Sequence, residues 1–254
     1  MSVVSKFQII TFYEFKNMDP LGDLSVVKDK LTDLMAALDL RGTIILSSEG
    51  FNSTLGGDPQ ALSEFVSRAN ESLSTSIKFR SSFHDELPFK RIKVKVKPEI
   101  VTLKQPVDIA KGIGTHVHAA EWNRLISDPD VVVLDTRNDY EFRSGTFPNA
   151  VNPGTENFNE LPKFIEQNLD PKRHKKVALF CTGGIRCEKF APYMMEQGFE
   201  TVYQLDGGIL KYLEDVDPEE SLWEGECFVF DARVTVGRDL QKGSSADLSQ
   251  ADAS

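Results

Sequence analysis

Apolar and polar positions follow different periods along the chain, and the change of period divides it in two. Residues 7–15, FQIITFYEF, are rich in β-branched and aromatic side chains, as strands are. Leu24, Val27, Leu31, Leu34, Met35 and Leu38 recur at three- and four-residue steps, which predicts a helix with one buried face. GTIILSS and FNSTLGG read as two strands joined at Glu49-Gly50. Asp58-Pro59 then supplies an N-cap and a proline at the first helical position. Leu62, Phe65, Val66, Ala69 and Leu73 form the apolar face of that second helix, and SIKFRSSF and RIKVKVK supply the last strands. This order over residues 1–98 matches a ferredoxin-like α+β sandwich.

After a connection at 99–117, punctuated by Gly112 and Gly114, strands and helices alternate. AAEWNRLI reads as a helix, VVVLD (131–135) as a buried strand, and KKVALFC (175–181) as another. CEKFAPYMMEQG is a helix stopped by Gly198, TVYQL (201–205) a third strand, and ILKYLE a last helix. Residues 118–216 therefore predict a domain built on a parallel α/β sheet. A C-terminal extension follows at 217–237, where Cys227, followed by alternating Phe228, Val229 and Phe230, looks like strand core. Residues 238–254, rich in Ser, Ala, Asp and Gln, have almost nothing to bury and are expected to be disordered.

Composition narrows the class. The 254 residues are 40% hydrophobic and 27% charged, which excludes a mostly disordered chain. No apolar run approaches the roughly 18 residues of a membrane helix, and the N-terminus lacks the pattern of a secretion signal. Three cysteines fit a reducing compartment, so a cytoplasmic protein without a membrane partner is expected. The net charge of −10 decides little, because its distribution is uneven. Seven acids fall in residues 213–226 with no base, whereas residues 88–98 carry Lys90, Arg91, Lys93, Lys95 and Lys97 with no acid. Lys93, Lys95 and Lys97 alternate with Ile92, Val94 and Val96, so the lysines share one face of a strand. A solvated edge strand explains that stripe; tracking of a nucleic-acid backbone is the functional alternative.

The candidate nucleophile is Cys181. It ends an apolar strand and is followed by Thr182, Gly183, Gly184, Ile185 and Arg186, then by a helix. Chemistry in an open parallel sheet sits beyond the carboxyl ends of its strands. Two glycines let a tight loop turn its N–H groups inward; those donors, the helix N-terminus and Arg186 favour a thiolate over a thiol. The C-x4-R loop is short for a phosphate, which needs more room and more N–H donors, so phosphatase chemistry is rejected. Asp135 reads as a structural anchor. Arg137 and Arg143 could reach an RNA phosphate or pair with acids such as Asp139 and Glu141. Cys187 is either a resolving or a packed thiol. His116 and His118 would share a face but have no carboxylate or cysteine at ligand spacing, so no metal is expected. No Gly-x-Gly-x-x-Gly or P-loop pattern advertises a flavin, nicotinamide or nucleotide, and no cofactor is evident.

CTGGIRCEK, with LDTRNDYEFRSGTFPNAVNPG before it and VYQLDGGILKYL after it, resembles a rhodanese-like domain. Together with EGFNSTLGG, FKRIKVKVKPEIVTL and GECFVFDARV, the chain resembles the bacterial oxygen-dependent tRNA uridine(34) hydroxylases, over nearly all of its length apart from the tail. That resemblance implies a ferredoxin-like domain preceding a rhodanese-like one. It also implies conversion of the wobble uridine (position 34) of tRNA to 5-hydroxyuridine, with molecular oxygen as co-substrate and an electron donor that the sequence does not identify. Cys181 matches the family's active-site cysteine, assigned as a persulfide carrier by analogy with rhodaneses, and Arg186 closes the same loop. The implied partner is the anticodon loop of tRNA and not DNA, with Lys90, Arg91, Lys93, Lys95 and Lys97 as candidate contacts. Gly145-Thr146 stands where simple rhodaneses have Gly-His, which counts against the alternative, a thiosulfate-type sulfurtransferase.

Overall fold

The structure, a computed structural model, describes residues 6–109 and 112–244. It divides into two units, with the boundary after Thr102. The N-terminal unit runs β1 (Phe7–Phe15), α1 (Leu24–Ala37), β2 (Arg41–Ser47), β3 (Gly50–Gly57), α2 (Pro59–Leu73), β4 (Arg80–His84) and β5 (Ile92–Val96). Its sheet has the order β4-β1-β3-β2-β5. The first four strands pair antiparallel, as in a ferredoxin-like sandwich, and β5 adds to β2 in parallel, so the sheet is mixed.

The helices start where carboxylates satisfy their free N–H groups. Asp23 accepts from Ser25 N at 2.8 Å, and Asp58 accepts from Gln60 N and Ala61 N at 2.9 and 3.2 Å. Val27, Leu31, Leu34 and Met35 of α1 and Leu62, Phe65, Ala69 and Leu73 of α2 are buried with Ile10, Phe12, Ile44, Leu46, Phe51 and Leu55 of the sheet. Ile92 and Val94 of β5 pack against that core, while Lys93 and Lys95 are exposed.

The second unit runs β6 (Thr115–Val117), α3 (Ala119–Ile126), β7 (Val131–Asp135), α4 (Asp139–Ser144), β8 (Gly145–Thr146), α5 (Leu161–Asn168), β9 (Lys176–Phe180), α6 (Ile185–Glu196), β10 (Thr201–Leu205) and α7 (Gly208–Asp215). Three two-residue strands follow: β11 (Glu224–Gly225), β12 (Cys227–Phe228) and β13 (Thr235–Val236). The main sheet is parallel throughout, in the order β6-β10-β9-β7. Phe147 anchors the core beneath it. Its ring centroid lies 5.8 Å from Trp122, 5.0 Å from Phe180, 4.8 Å from Tyr212 and 5.1 Å from Trp223, edge to face in every case.

Three segments differ from their sequence pattern. The connection expected at 99–117 ends in β6, which pairs with β10 and so belongs to the second sheet. The Cys-Phe-Val-Phe alternation yields a strand of only two residues, because Val229 N donates to Val234 O at 2.9 Å and the chain turns. The start of the expected disordered tail folds back: Gly243 N donates to Thr235 O at 2.8 Å, and Glu226 accepts from Ser244 N and Oγ at 2.8 and 2.7 Å. Residues 245–254, the rest of that expected tail, lie outside the described residues. Among the described residues no helix is long and apolar enough to cross a membrane.

Candidate active site

Cys181 follows the last residue of β9 and is buried. The next three residues turn the chain so that Gly184 N donates to Cys181 Sγ at 3.1 Å, and α6 begins one residue later. Gly184 reaches this position with φ 98°, a conformation that suits glycine. The N–H groups of Arg186 and Cys187 also turn toward the sulfur. The loop's carbonyls point the other way, where Ile209 N donates to Cys181 O at 2.9 Å and Leu210 N to Thr182 O at 3.1 Å. These donors open α7, and Gly208 lets α7 come so close. A Cβ at Gly208, where φ is 68°, would stand 2.5 Å from Cys181 O and 2.8 Å from Gly184 N.

Burial by itself would raise the Cys181 thiol. A hydrogen bond with Cys187, the Arg186 charge and the inward N–H groups overcome it and bring the thiol down to about 5. The sulfur is accordingly a thiolate at neutral pH, the nucleophilic form. Cys187 moves the opposite way: burial first, then the neighbouring Cys181, push its thiol well up, and it also meets Thr136 Oγ1 at 3.5 Å. Cys187 is thus a packed thiol donor to its neighbour. Cys227, buried in β12, is pushed up by burial to about 12.

Arg186 is held by a residue that sequence reasoning offered only to other partners. Glu141 accepts from Arg186 Nη1 at 2.6 Å and Nη2 at 2.7 Å, and both side chains are buried. Glu141 is fixed in turn by the start of α4, where Asn138 N donates to its Oε2 at 3.1 Å. Burial would raise the Glu141 carboxyl, but the Arg186 guanidinium holds it below the usual range. Thr182 Oγ1 lies 3.3 Å from Glu141 Oε1 and 3.5 Å from Phe228 O. Arg186 therefore acts on the sulfur through its field, with both terminal nitrogens bound to Glu141. The capping-box spacing of Asn138 and Glu141 was the available signal for how Glu141 is placed.

The other candidates occupy different positions. Arg137 is fully buried and forks onto Asp135, with Nε to Oδ1 at 2.9 Å and Nη2 to Oδ2 at 2.6 Å. It is no surface arginine for a phosphate, and its partner is Asp135 instead of Asp139 or Glu141. Arg143 is exposed and pairs with Asp139. Asp231 and Arg233, near the chain's end, repeat the Asp-x-Arg fork at the same 2.9 and 2.6 Å. His116 and His118 do meet a carboxylate, contrary to the spacing argument: Asp206 lies 3.3 Å from His116 Nδ1 and 3.1 Å from His118 Nδ1. Lys211 approaches the same carboxylate at 3.5 Å. Among the described residues no group of three His, Cys, Asp or Glu side chains could hold a metal ion.

The basic stripe lies in the N-terminal unit. Lys90, Arg91, Lys93, Lys95 and Lys97 are all exposed, and among the described residues none of them forms an ion pair. Lys93 and Lys95 lie on the edge strand β5, and Lys97 N, one residue beyond it, donates to Leu46 O at 2.9 Å.

Residues 7–100 match the family model described as the UPF0176 acylphosphatase-like domain, and residues 118–215 match the rhodanese-like domain. Among solved structures the chain is similar to a rhodanese-related protein from Thermoplasma volcanium, with 24% identity and a TM-score of 0.33 over 41% of this chain and 95% of that one. It is also similar to a polysulfide-sulfur transferase from Wolinella succinogenes, with 25% identity and a TM-score of 0.33 over 42% of this chain and 77% of that one. An acylphosphatase from Coxiella burnetii matches at 9% identity and a TM-score of 0.28, over 36% of this chain and 93% of that one.

Proposed function

From a chain with the two-domain architecture of the tRNA hydroxylase (UPF0176) family, we propose an enzyme that hydroxylates the wobble uridine of tRNA at C5 in an oxygen-dependent reaction. The observation that carries this reading is the Cys181 thiolate in its six-residue loop, joined in one chain to a domain whose edge strand exposes a basic stripe. Uracil C5 is a poor nucleophile until something adds at C6. The Cys181 thiolate adds there, and the resulting enolate attacks dioxygen from C5. Two electrons and two protons from an external donor cleave the O–O bond to leave a hydroxyl on C5 and release water. Loss of the C5 proton then expels the thiolate and restores the double bond. The inward N–H groups that held the thiolate before attack receive it again on release. Reaching the base is least costly in a single-stranded anticodon loop, while Lys93, Lys95 and Lys97 grip the RNA backbone.

The test pairs two measurements. Nucleoside analysis of tRNA from cells lacking the protein should show loss of 5-hydroxyuridine and its derivatives. tRNA carrying 5-fluorouridine at the wobble position should form a covalent adduct with Cys181. Unchanged nucleosides would overturn the reaction, and a missing adduct would overturn attack at C6. The C-x4-R loop favours one second reading, a sulfurtransferase carrying a persulfide on Cys181. That reading expects thiosulfate to add one sulfur to Cys181 and cyanide to remove it.

A further inference from the structure

Phe230 is 67% exposed, the most exposed of the large hydrophobic side chains in the described residues. An exposed phenylalanine on a mobile tip would mean little, but this one is fixed. Its loop is closed by Val229 N donating to Val234 O at 2.9 Å and Val234 N to Asp231 O at 3.1 Å. Asp231 also accepts from Arg233 N at 2.9 Å and takes the Arg233 fork, with both of those side chains buried. Below it, Phe228 meets Phe230 edge to face at 5.2 Å and Tyr140 at 5.0 Å. The ring stands beside the reactive loop: the Arg186 guanidinium carbon is 5.9 Å from its centroid, and the carbonyl of Phe228 is 3.5 Å from Thr182 Oγ1.

We propose that Phe230 is a stacking platform for a nucleobase of the bound RNA at the mouth of the Cys181 loop. The assignment rests on the RNA reading above and adds the surface that would hold a base there. The geometry suits a flat ring better than a protein partner. Val229 before it and Arg233 three residues after it are buried, and Phe230 is the one exposed large hydrophobic side chain between Thr201 and Ser244, so a single ring is presented and not a broad apolar patch. A base has two faces to stack and tolerates the polar loop around it. The ring is already positioned, so no ordering cost falls on binding.

The experiment compares wild type with Phe230→Ala, Phe230→Leu and Phe230→Trp, using an anticodon stem–loop RNA with uridine at the wobble position. Cys181 alkylation reports in each variant whether the reactive loop is intact. Phe230→Ala should weaken RNA binding about 5- to 150-fold, as loss of one stacked base does. Phe230→Leu should restore little, and Phe230→Trp should bind at least as well as wild type. Both natural tryptophans, Trp122 and Trp223, are buried, so fluorescence quenched by RNA in Phe230→Trp alone would report direct stacking. Wild-type binding matched by Phe230→Ala, or equal rescue by leucine and tryptophan, overturns the platform and leaves the RNA reading standing. Wild-type protein that does not bind the stem–loop overturns both.

Discussion

Glu141 closes on both terminal nitrogens of Arg186, so the cation beside Cys181 is already neutralised by a buried carboxylate. Glu141→Gln should therefore have two effects that differ in sign. Removing one member of a buried pair should cost about 3–5 kcal/mol of folding stability, read by denaturant melts. The Arg186 charge, released from its counterion, should then favour the thiolate more strongly. The pH midpoint of Cys181 alkylation should move below the wild-type value; an upward movement would show that Arg186 had lost its place beside the sulfur.

The thiol itself sets a second expectation. Iodoacetamide should label Cys181 at a rate that is flat across neutral pH and falls through a midpoint near 5. Cys187 and Cys227, both held up by burial, should stay unlabelled in the native protein, and Cys181→Ser should abolish labelling. The linkage has a definite sign. The folded value lies below the unfolded value of about 8.5, so ionisation contributes its full stability above that pH. The contribution declines as pH falls and is gone below about 5, which a comparison of wild type with Cys181→Ser in melts across pH would reveal.

Gly208→Ala tests the packing behind the loop. Alanine must adopt a positive φ and place a methyl 2.5 Å from Cys181 O, so either the backbone strains or α7 withdraws. The strain alone should cost about 1–3 kcal/mol. If α7 withdraws, the inward N–H groups lose alignment and the Cys181 midpoint should rise toward the ordinary thiol range. An unchanged midpoint would mean the loop keeps its shape without α7.

Local chemistry was legible and distant pairing was not. The helices announced themselves through the three- and four-residue apolar steps from Leu24 to Leu38 and through Asp58, which acts on N–H groups two and three residues away. The Cys181 turn was readable for the same reason, since its glycines and its donors fall within six residues. Glu141 meets Arg186 across 45 positions, and no periodicity marks such a pair. Arg137 looked like a surface arginine because its acidic neighbours in sequence were plausible partners, yet Asp135 folds back on it inside the core. The alternation from Cys227 to Phe230 was legible, with Cys227 and Val229 buried and Phe230 exposed, but the turn that stops the strand after Phe228 was not. Val229 N closes on Val234 O at 2.9 Å, a turn that the alternation does not announce.

Lys93→Glu, Lys95→Glu and Lys97→Glu should each leave stability within about 0.5 kcal/mol, because all three side chains are exposed and form no ion pair among the described residues. RNA affinity should fall at low salt. The slope of log affinity against log salt should flatten by about 0.7–0.9 for each lysine that contacts a phosphate. Binding with an unaltered slope would assign the stripe to protection of an open sheet edge.

The bonds from Ile209 and Leu210 to the carbonyls of Cys181 and Thr182 make the start of α7 the back wall of the reactive turn. A transplant of the six residues from Cys181 to Arg186 onto another strand–helix junction would carry the nucleophile without the wall that aims its donors. Engineering this reactivity elsewhere means moving the glycine-led helix as well, two pieces of sequence more than twenty residues apart that work as one part.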